Sequence, residues 1–225
     1  MFIRFLTVLL FTAVFIHAQE HEPPVSPEIL PDHHVIFRLE DPDAKSVMVK
    51  GIAHKLIEMK RDKSGIWHAT FGPMDPGIYD YSFIVDGEQL IDPSNPEVKP
   101  ERNPDTSSLE ITTNTPLFYQ WKDIPHGVVR LHSYFSPSLK RLRRLRVYTP
   151  PGYDADLGRR YPALYLFHGT GDTEATWTEF GRANLILDNL IFEGKSKPML
   201  LVMPDGHADL QGEEGDHRAN FMQFE

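Results

Sequence analysis

Apolar and polar positions alternate along the first half of the chain, and the alternation predicts short strands. Val35-Ile-Phe-Arg-Leu39 and Ser46-Val-Met-Val-Lys50 are strand-like and are split by the turn residues Asp41-Pro-Asp43. In Ile66–Phe71, Trp67, Ala69 and Phe71 fall on one face, and Tyr79, Tyr81, Phe83 and Val85 repeat that period of two. Asp86-Gly87 is a hairpin turn leading into Gln89-Leu-Ile91. Strands at this spacing, with no helical run between them, predict a small all-β sandwich over residues 25–111. Asp92-Pro-Ser-Asn-Pro96 through Pro104 is rich in turn formers and reads as its irregular exit, with a linker at 112–125.

Past Asn114 the periodicity changes. Leu145–Thr149 is a strand stopped by Pro150-Pro151-Gly152, and Tyr161–Phe167 is a near-continuous apolar run, expected to be a strand buried on both faces. A helix is expected over Arg182–Glu193, its stripe made by Ala183, Ile186, Leu190 and Ile191, with Gly194 and Pro198 closing it. Met199–Met203 is a second buried strand. Strand, helix and strand in this length predict a parallel crossover, so residues 126–225 read as part of an α/β domain.

The N-terminus follows another grammar. Arg4 precedes the apolar Phe5–Ile16, and His17-Ala18-Gln19 turns polar, which predicts a secretory signal peptide over 1–18; an uncleaved anchor is the alternative. The mature protein is then expected to be secreted or periplasmic, with no stable membrane insertion after cleavage.

Composition narrows the chemistry. The 225 residues are 40% hydrophobic and 24% charged, which excludes wholesale disorder. A net charge of −9 argues against nucleic acid as a partner, because it repels phosphate before contact. Lys140–Arg146 is the one basic cluster and reads as a surface strand, anchored by Leu142, Leu145 and Val147 with its arginines solvated. Without cysteine there is no disulfide, thiolate-held zinc or thiol nucleophile. Asp205–His217 is rich in Asp, Glu and His, but its spacing is irregular, and neither metal nor cofactor is expected.

Candidate chemistry concentrates at His168-Gly-Thr-Gly-Asp172, directly after the apolar run. The carboxyl ends of parallel strands are where open α/β sheets place ligands, and glycine lets backbone N–H groups approach one closely. The motif is either such a site or a plain glycine turn. It is no phosphate loop: Gly194-Lys195-Ser196 ends a helix instead of opening one.

Six segments in order carry a resemblance: Trp121–Gly127, Arg146–Tyr153, Tyr161–Gly169, Trp177–Asn184, Asp188–Ile191 and Met199–His207. Together they resemble secreted bacterial esterases of the esterase D or feruloyl-esterase type, an α/β-hydrolase group. Val25-Ser-Pro-Glu28, Gly65-Ile-Trp67, Gly77–Phe83 and Asp92–Pro96 resemble the early-set, immunoglobulin-like domain that precedes many of them. The resemblance implies a serine hydrolase acting on plant-wall polysaccharide esters, such as feruloyl or acetyl groups on xylan. It makes His168, Gly169 and Thr170 the oxyanion loop, with the Thr170 N–H as one donor, and places Trp177 either in an acyl pocket or in the core.

That family needs Gly-x-Ser-x-Gly, then Asp or Glu, then His, and no Gly-x-Ser-x-Gly occurs in these 225 residues. The resemblance puts all three catalytic groups beyond Glu225, and Asn220–Glu225 reads as the start of the helix before the elbow. His126 and His207 read as structural positions. The chain as given is therefore expected to be inactive. Met199–Met203 is expected to present an open sheet edge prone to aggregation. Two other readings stand beside this one: a siderophore esterase, and a non-catalytic carbohydrate-binding module using the sandwich alone. The alternation of Trp67, Tyr79, Tyr81 and Phe83 suits a core better than a binding platform.

Overall fold

A computed structural model describes residues 22–52, 55–156 and 158–208. The expected signal peptide, the helix start at Asn220 and most of the acidic Asp205–His217 stretch lie outside the described residues. Among the described residues, no helix is long and apolar enough to cross a membrane.

Nine strands build the first region: β1 (Glu28–Ile29), β2 (Val35–Glu40), β3 (Val47–Lys50), β4 (Ile57–Glu58), β5 (Lys60–Arg61), β6 (Ile66–Phe71), β7 (Gly77–Val85), β8 (Glu88–Leu90) and β9 (Ser107–Ile111). One sheet has the order β1-β2-β6-β5. The other runs β4-β3-β7-β8, with β9 also pairing β7. All these pairings are antiparallel. Val35, Phe37, Leu39, Trp67 and Ala69 from the first sheet meet Val47, Val49, Tyr81, Phe83, Leu109 and Ile111 from the second in one core. The period-two pattern thus projects its aromatics inward. Asp86 and Gly87 both have positive φ (50° and 99°), the two-residue turn that matches strand twist between β7 and β8.

Asp92, only 1% exposed, sits where the sequence suggested an irregular exit. Its Oδ2 accepts the hydroxyls of Ser26 (2.5 Å) and Tyr81 (2.7 Å), and its Oδ1 accepts the Ser94 N–H (2.8 Å). Its own N–H donates to Ser107 Oγ (2.9 Å). The exit segment is a buried polar knot that ties the two ends of the sandwich together.

The second region comprises β10 (Val128–Ser136), β11 (Arg141–Thr149), β12 (Ala163–Tyr165), α1 (Thr176–Glu179), α2 (Ala183–Phe192) and β13 (Leu200–Pro204). Its sheet order is β10-β11-β13-β12. β10 and β13 run antiparallel to β11, whereas β12 and β13 are parallel, with α1 and α2 between them in the chain. Tyr148, Leu187, Leu201 and Met203 form its buried cluster.

Four expectations are corrected here. The run 161–167 does not form a strand buried on both faces: β12 is an edge strand, and Ala163, Leu164, Tyr165 and Phe167 are exposed. The open edge belongs to β12, because β13 is inserted between β11 and β12. In the basic cluster Leu142 is 74% exposed while Arg143 is 5% exposed. Arg143 is buried because its guanidinium donates to the carbonyls of Asp205 and His207, a use of its planar fork that a lone apolar side chain cannot match.

The fourth correction concerns α2, whose most buried residues are Leu187, Asp188 and Asn189. Asp188 accepts from Gly127 N–H (2.9 Å) and from the Tyr148 hydroxyl (2.5 Å), and its Oδ2 lies 3.0 Å from His126 Nδ1. Asn189 Nδ2 donates to the Phe118 and Gln120 carbonyls. Polar side chains, and not the apolar stripe alone, thus dock the segment before β10 on this helix. Gly127 is required there, since a Cβ would collide with the Thr149 carbonyl and the Tyr148 ring.

Candidate active-site loop

β12 hands its pairing on through Leu166, whose N–H donates to Val202 O (2.9 Å), and the chain then leaves the sheet as the loop 167–175. The loop stands at the carboxyl end of a parallel strand, as the glycine motif suggested. The His168 side chain is enclosed, with 3% of it exposed. Its Nδ1 faces the Gly169 carbonyl (2.8 Å), and its Nε2 accepts the Gly206 N–H (2.8 Å) from the segment after β13. A carbonyl only accepts, so Nδ1 is the donor to Gly169 and Nε2 the acceptor.

His207 answers from the other side. Its Nε2–H donates to the Asp172 carbonyl (2.8 Å), and the two imidazoles lie 4.8 Å apart. Each histidine thus clasps the other's loop, which gives His168 a structural duty beside its place in the motif.

Asp172 closes the turn. Its Oδ2 accepts the Gly169 N–H (3.1 Å), and its own N–H donates to Gly169 O (3.2 Å). The approach is close: a Cβ on Gly169 would stand 3.0 Å from Asp172 Oδ2, so the carboxylate would have to shift to admit one. Thr170, the next residue, is exposed, and its N–H has no acceptor among the described residues. The three motif residues His168, Gly169 and Thr170 are therefore brought together with the Gly169 amide bound, whereas the amides of His168, Thr170 and Gly171 have no acceptor among the described residues.

Trp177, on α1, donates Nε1–H to the Phe167 carbonyl (3.0 Å) and is 37% exposed. The indole is tied to the loop yet keeps part of its surface open, so it is not a core residue. On the opposite flank the exit segment of the sandwich reaches in. Arg102 N–H donates to Gly171 O (2.9 Å), Glu101 bridges Asp172, and the Pro100 carbonyl accepts the Thr176 hydroxyl (2.7 Å). A cavity of about 240 Å³ lies at this junction, lined by Arg102, Arg141, Leu142, Thr173, Asp205 and His207 among others.

His168, Asp205 and His207 each offer a ligating atom within 4.8 Å of the others. The donor set is already committed: His168 Nε2 accepts the Gly206 N–H, His207 Nε2–H serves Asp172, and Arg143 lies 3.8 Å from Asp205. That arrangement suits a hydrogen-bonded clasp better than a cation site.

A second histidine–carboxylate pair imitates catalytic machinery. His126 Nδ1 faces Asp188 at 3.0 Å, while Nε2–H donates to the Lys122 carbonyl (2.8 Å). With Nε2 spent on a carbonyl, the ring has no nitrogen free to take a proton from a substrate. Burial opposes its charge, but hydrogen bonds to Asp188 and Lys122, with the Asp188 charge, outweigh burial and hold its pKa above the ordinary imidazole value. Trp121 stacks on the ring at 5.4 Å. The pair is a structural lock. Asp172 and the sandwich strap were not legible as site elements; the only trace in the sequence was the carboxylate ending His-Gly-Thr-Gly-Asp.

Comparison with known proteins bears on this loop. Residues 136–224 match the family described as "Putative esterase". The chain is 38% identical over 187 residues to an endo-1,4-beta-xylanase/feruloyl esterase of Xylanibacter ruminicola, across 80% of this chain and 26% of that protein. It is 33% identical over 86 residues to endo-1,4-beta-xylanase Y of Acetivibrio thermocellus, across 36% of this chain and 8% of that one. Among solved structures, the enterobactin esterase of Shigella flexneri superposes with a TM-score of 0.53 at 20% identity, over 83% of this chain and 54% of that one. That last likeness is one of fold. The chain spans 26% of the length of the Xylanibacter relative and about half of the enterobactin esterase.

Proposed function

We propose that this chain carries the oxyanion-loop portion of an exported carboxylic ester hydrolase that acts on plant-wall polysaccharide esters. The observation that carries the reading is the open N–H of Thr170, at the carboxyl end of a parallel strand, on a turn whose neighbouring amide is already bound. An ester carbonyl seated there would gain a backbone donor as its oxygen becomes an oxyanion, and losing such a donor costs about 3–4 kcal/mol of transition-state stabilisation. His168 and Gly169 shape the loop, and Trp177 offers a partly open indole face to an aromatic acyl group. Nucleophile, acid and triad histidine are not assigned to any residue of this chain.

The match of residues 136–224 to the esterase family and the 38% identity to a feruloyl esterase support the substrate class. The sandwich takes the place of the early-set, immunoglobulin-like domain in this reading, and residues 1–18 supply the export signal. The test is an assay of the full-length gene product on methyl ferulate, acetylated xylan and enterobactin. Turnover of the first or second is expected. No ester turnover, or a marked preference for enterobactin, would overturn the plant-wall reading. Binding of xylan oligomers by the sandwich without any turnover would favour an accessory module instead.

A further inference from the structure

We infer that Asp172 is a positioning residue through which the β-sandwich sets the active-site loop. Its contacts run in three directions. Toward the loop, the carboxylate holds the Gly169 N–H and leaves the Thr170 N–H open. Toward the segment after β13, its carbonyl holds His207. Toward the sandwich, it pairs with Glu101 across a β-bridge, while Lys99 Nζ stands 3.9 Å from Oδ1 and is anchored by Asp80 (3.1 Å) and Glu101 (3.2 Å).

The rest of the strap reinforces the grip. Arg102 N–H holds Gly171 O, and Pro100 O takes the hydroxyls of Thr173 (3.3 Å) and Thr176 (2.7 Å). Loop 169–173 is therefore fixed from the sandwich side as well as from its own sheet. The physical need is clear from the sequence: Gly169 and Gly171 flank Thr170, and glycine peptides rotate at little steric cost. Without an acceptor on Gly169, nothing in the covalent chain decides which amide faces outward. The Asp172 carboxylate turns the Gly169 amide inward, which leaves the Thr170 and Gly171 amides without an acceptor among the described residues, and the strap keeps the carboxylate in place. Only the purpose of the open amide rests on the esterase reading.

Amide hydrogen exchange in the 225-residue chain tests the brace directly. In Asp172→Ala, the Gly169 amide should exchange about tenfold faster or more, the loss of one charge-assisted hydrogen bond, with Phe37 and Phe83 amides unchanged. Asp172→Asn, which keeps an acceptor oxygen, should recover most of that protection. Thr176→Val should speed exchange of the Arg102 amide by loosening the strap. Unchanged exchange at Gly169 in Asp172→Ala, or a rise shared equally by the core amides, would overturn the inference.

Kinetics of the full-length product separate it from the esterase reading. Asp172→Ala should lower kcat for methyl ferulate far more than it changes KM, and Asp172→Asn should restore part of the loss. Wild-type turnover with no kcat response overturns the brace. Absence of turnover with the expected exchange pattern overturns the esterase reading and leaves the brace standing.

Discussion

The two regions solve the same problem with unequal resources. Fifteen buried apolar residues fill the sandwich core, drawn from both of its sheets and the loops between strands, whereas four form the cluster beside the second sheet. At about 1.5–3 kcal/mol for each large side chain buried, the sandwich carries most of the hydrophobic stabilisation among the described residues. The second sheet also leaves Leu164, Tyr165 and Phe167 exposed along an unpaired edge. Both regions add a buried carboxylate at a chain crossing. Asp92 gathers neutral donors from Ser26, Tyr81 and Ser94, while Asp188 gathers Gly127, Tyr148 and a histidine. The sandwich would survive on its apolar core without such a knot more readily than the second region would.

Core truncation should break the contrast most visibly. Phe83→Ala is expected to cost about 3–5 kcal/mol, because the site is enclosed on both sides and cannot collapse. Leu187→Ala should fall nearer 2 kcal/mol, since its small cluster has room to relax. Denaturant unfolding of each variant, followed by region-specific hydrogen exchange, measures both; equal costs would refute the comparison.

Removing the carboxylate at Asp188 comes next. Asp188→Ala strands His126, Gly127 and Tyr148 at once, and loss of about 3 kcal/mol or more from the second region is expected. Protection in β2 and β7 should be retained. Single-hydroxyl deletions follow: Tyr81→Phe and Tyr148→Phe should each cost about 1–2 kcal/mol in their own region. Burial, followed by the facing carboxylate, holds both phenols far above the ordinary tyrosine pKa, so neither should ionise in an alkaline titration while folded.

The smallest effect is a divergence with pH. His126 has a folded pKa raised above its unfolded value of about 6.5, so its contribution is complete below that pH and fades as pH rises through the folded pKa. In the sandwich, hydrogen bonds from Ser46 and Lys45 hold the Asp86 carboxyl below its ordinary range, outweighing desolvation. Its contribution is complete above the unfolded pKa and fades as pH falls through the folded one. Exchange protection should therefore weaken in the second region on the alkaline side and in the sandwich on the acid side. His126→Gln should abolish the alkaline slope; a slope that persists would assign it elsewhere.

The difference between the regions also explains what could be read beforehand. Trp67, Ala69, Tyr81 and Phe83 declared their faces because each antiparallel strand of the sandwich has one wet face, and the period of two records it. The parallel pairing of β12 with β13 and the extent of α2 were likewise legible from apolar runs around a helical stripe. Run 161–167 misled because apolar content records what a strand is suited to touch, not what lies against it. Arg143 and Leu142 misled for the opposite reason: a charged side chain can be buried wherever carbonyls converge, and here the segment after β13 brings two of them to β11.

At the candidate site the division is the same. The amino-acid sequence by itself determined two glycines beside a histidine and a carboxylate at the end of an apolar run, and with them the capacity for an exposed backbone amide. Only the tertiary structure decided what holds that turn in place. It did so by bringing His207 and the strap 99–102, from positions far apart in the chain, against the turn that Asp172 closes locally. Backbone permissiveness and the carboxylate that limits it are local and can be written in residue types; the partners that hold that carboxylate's residue in place come from segments the local sequence does not contain.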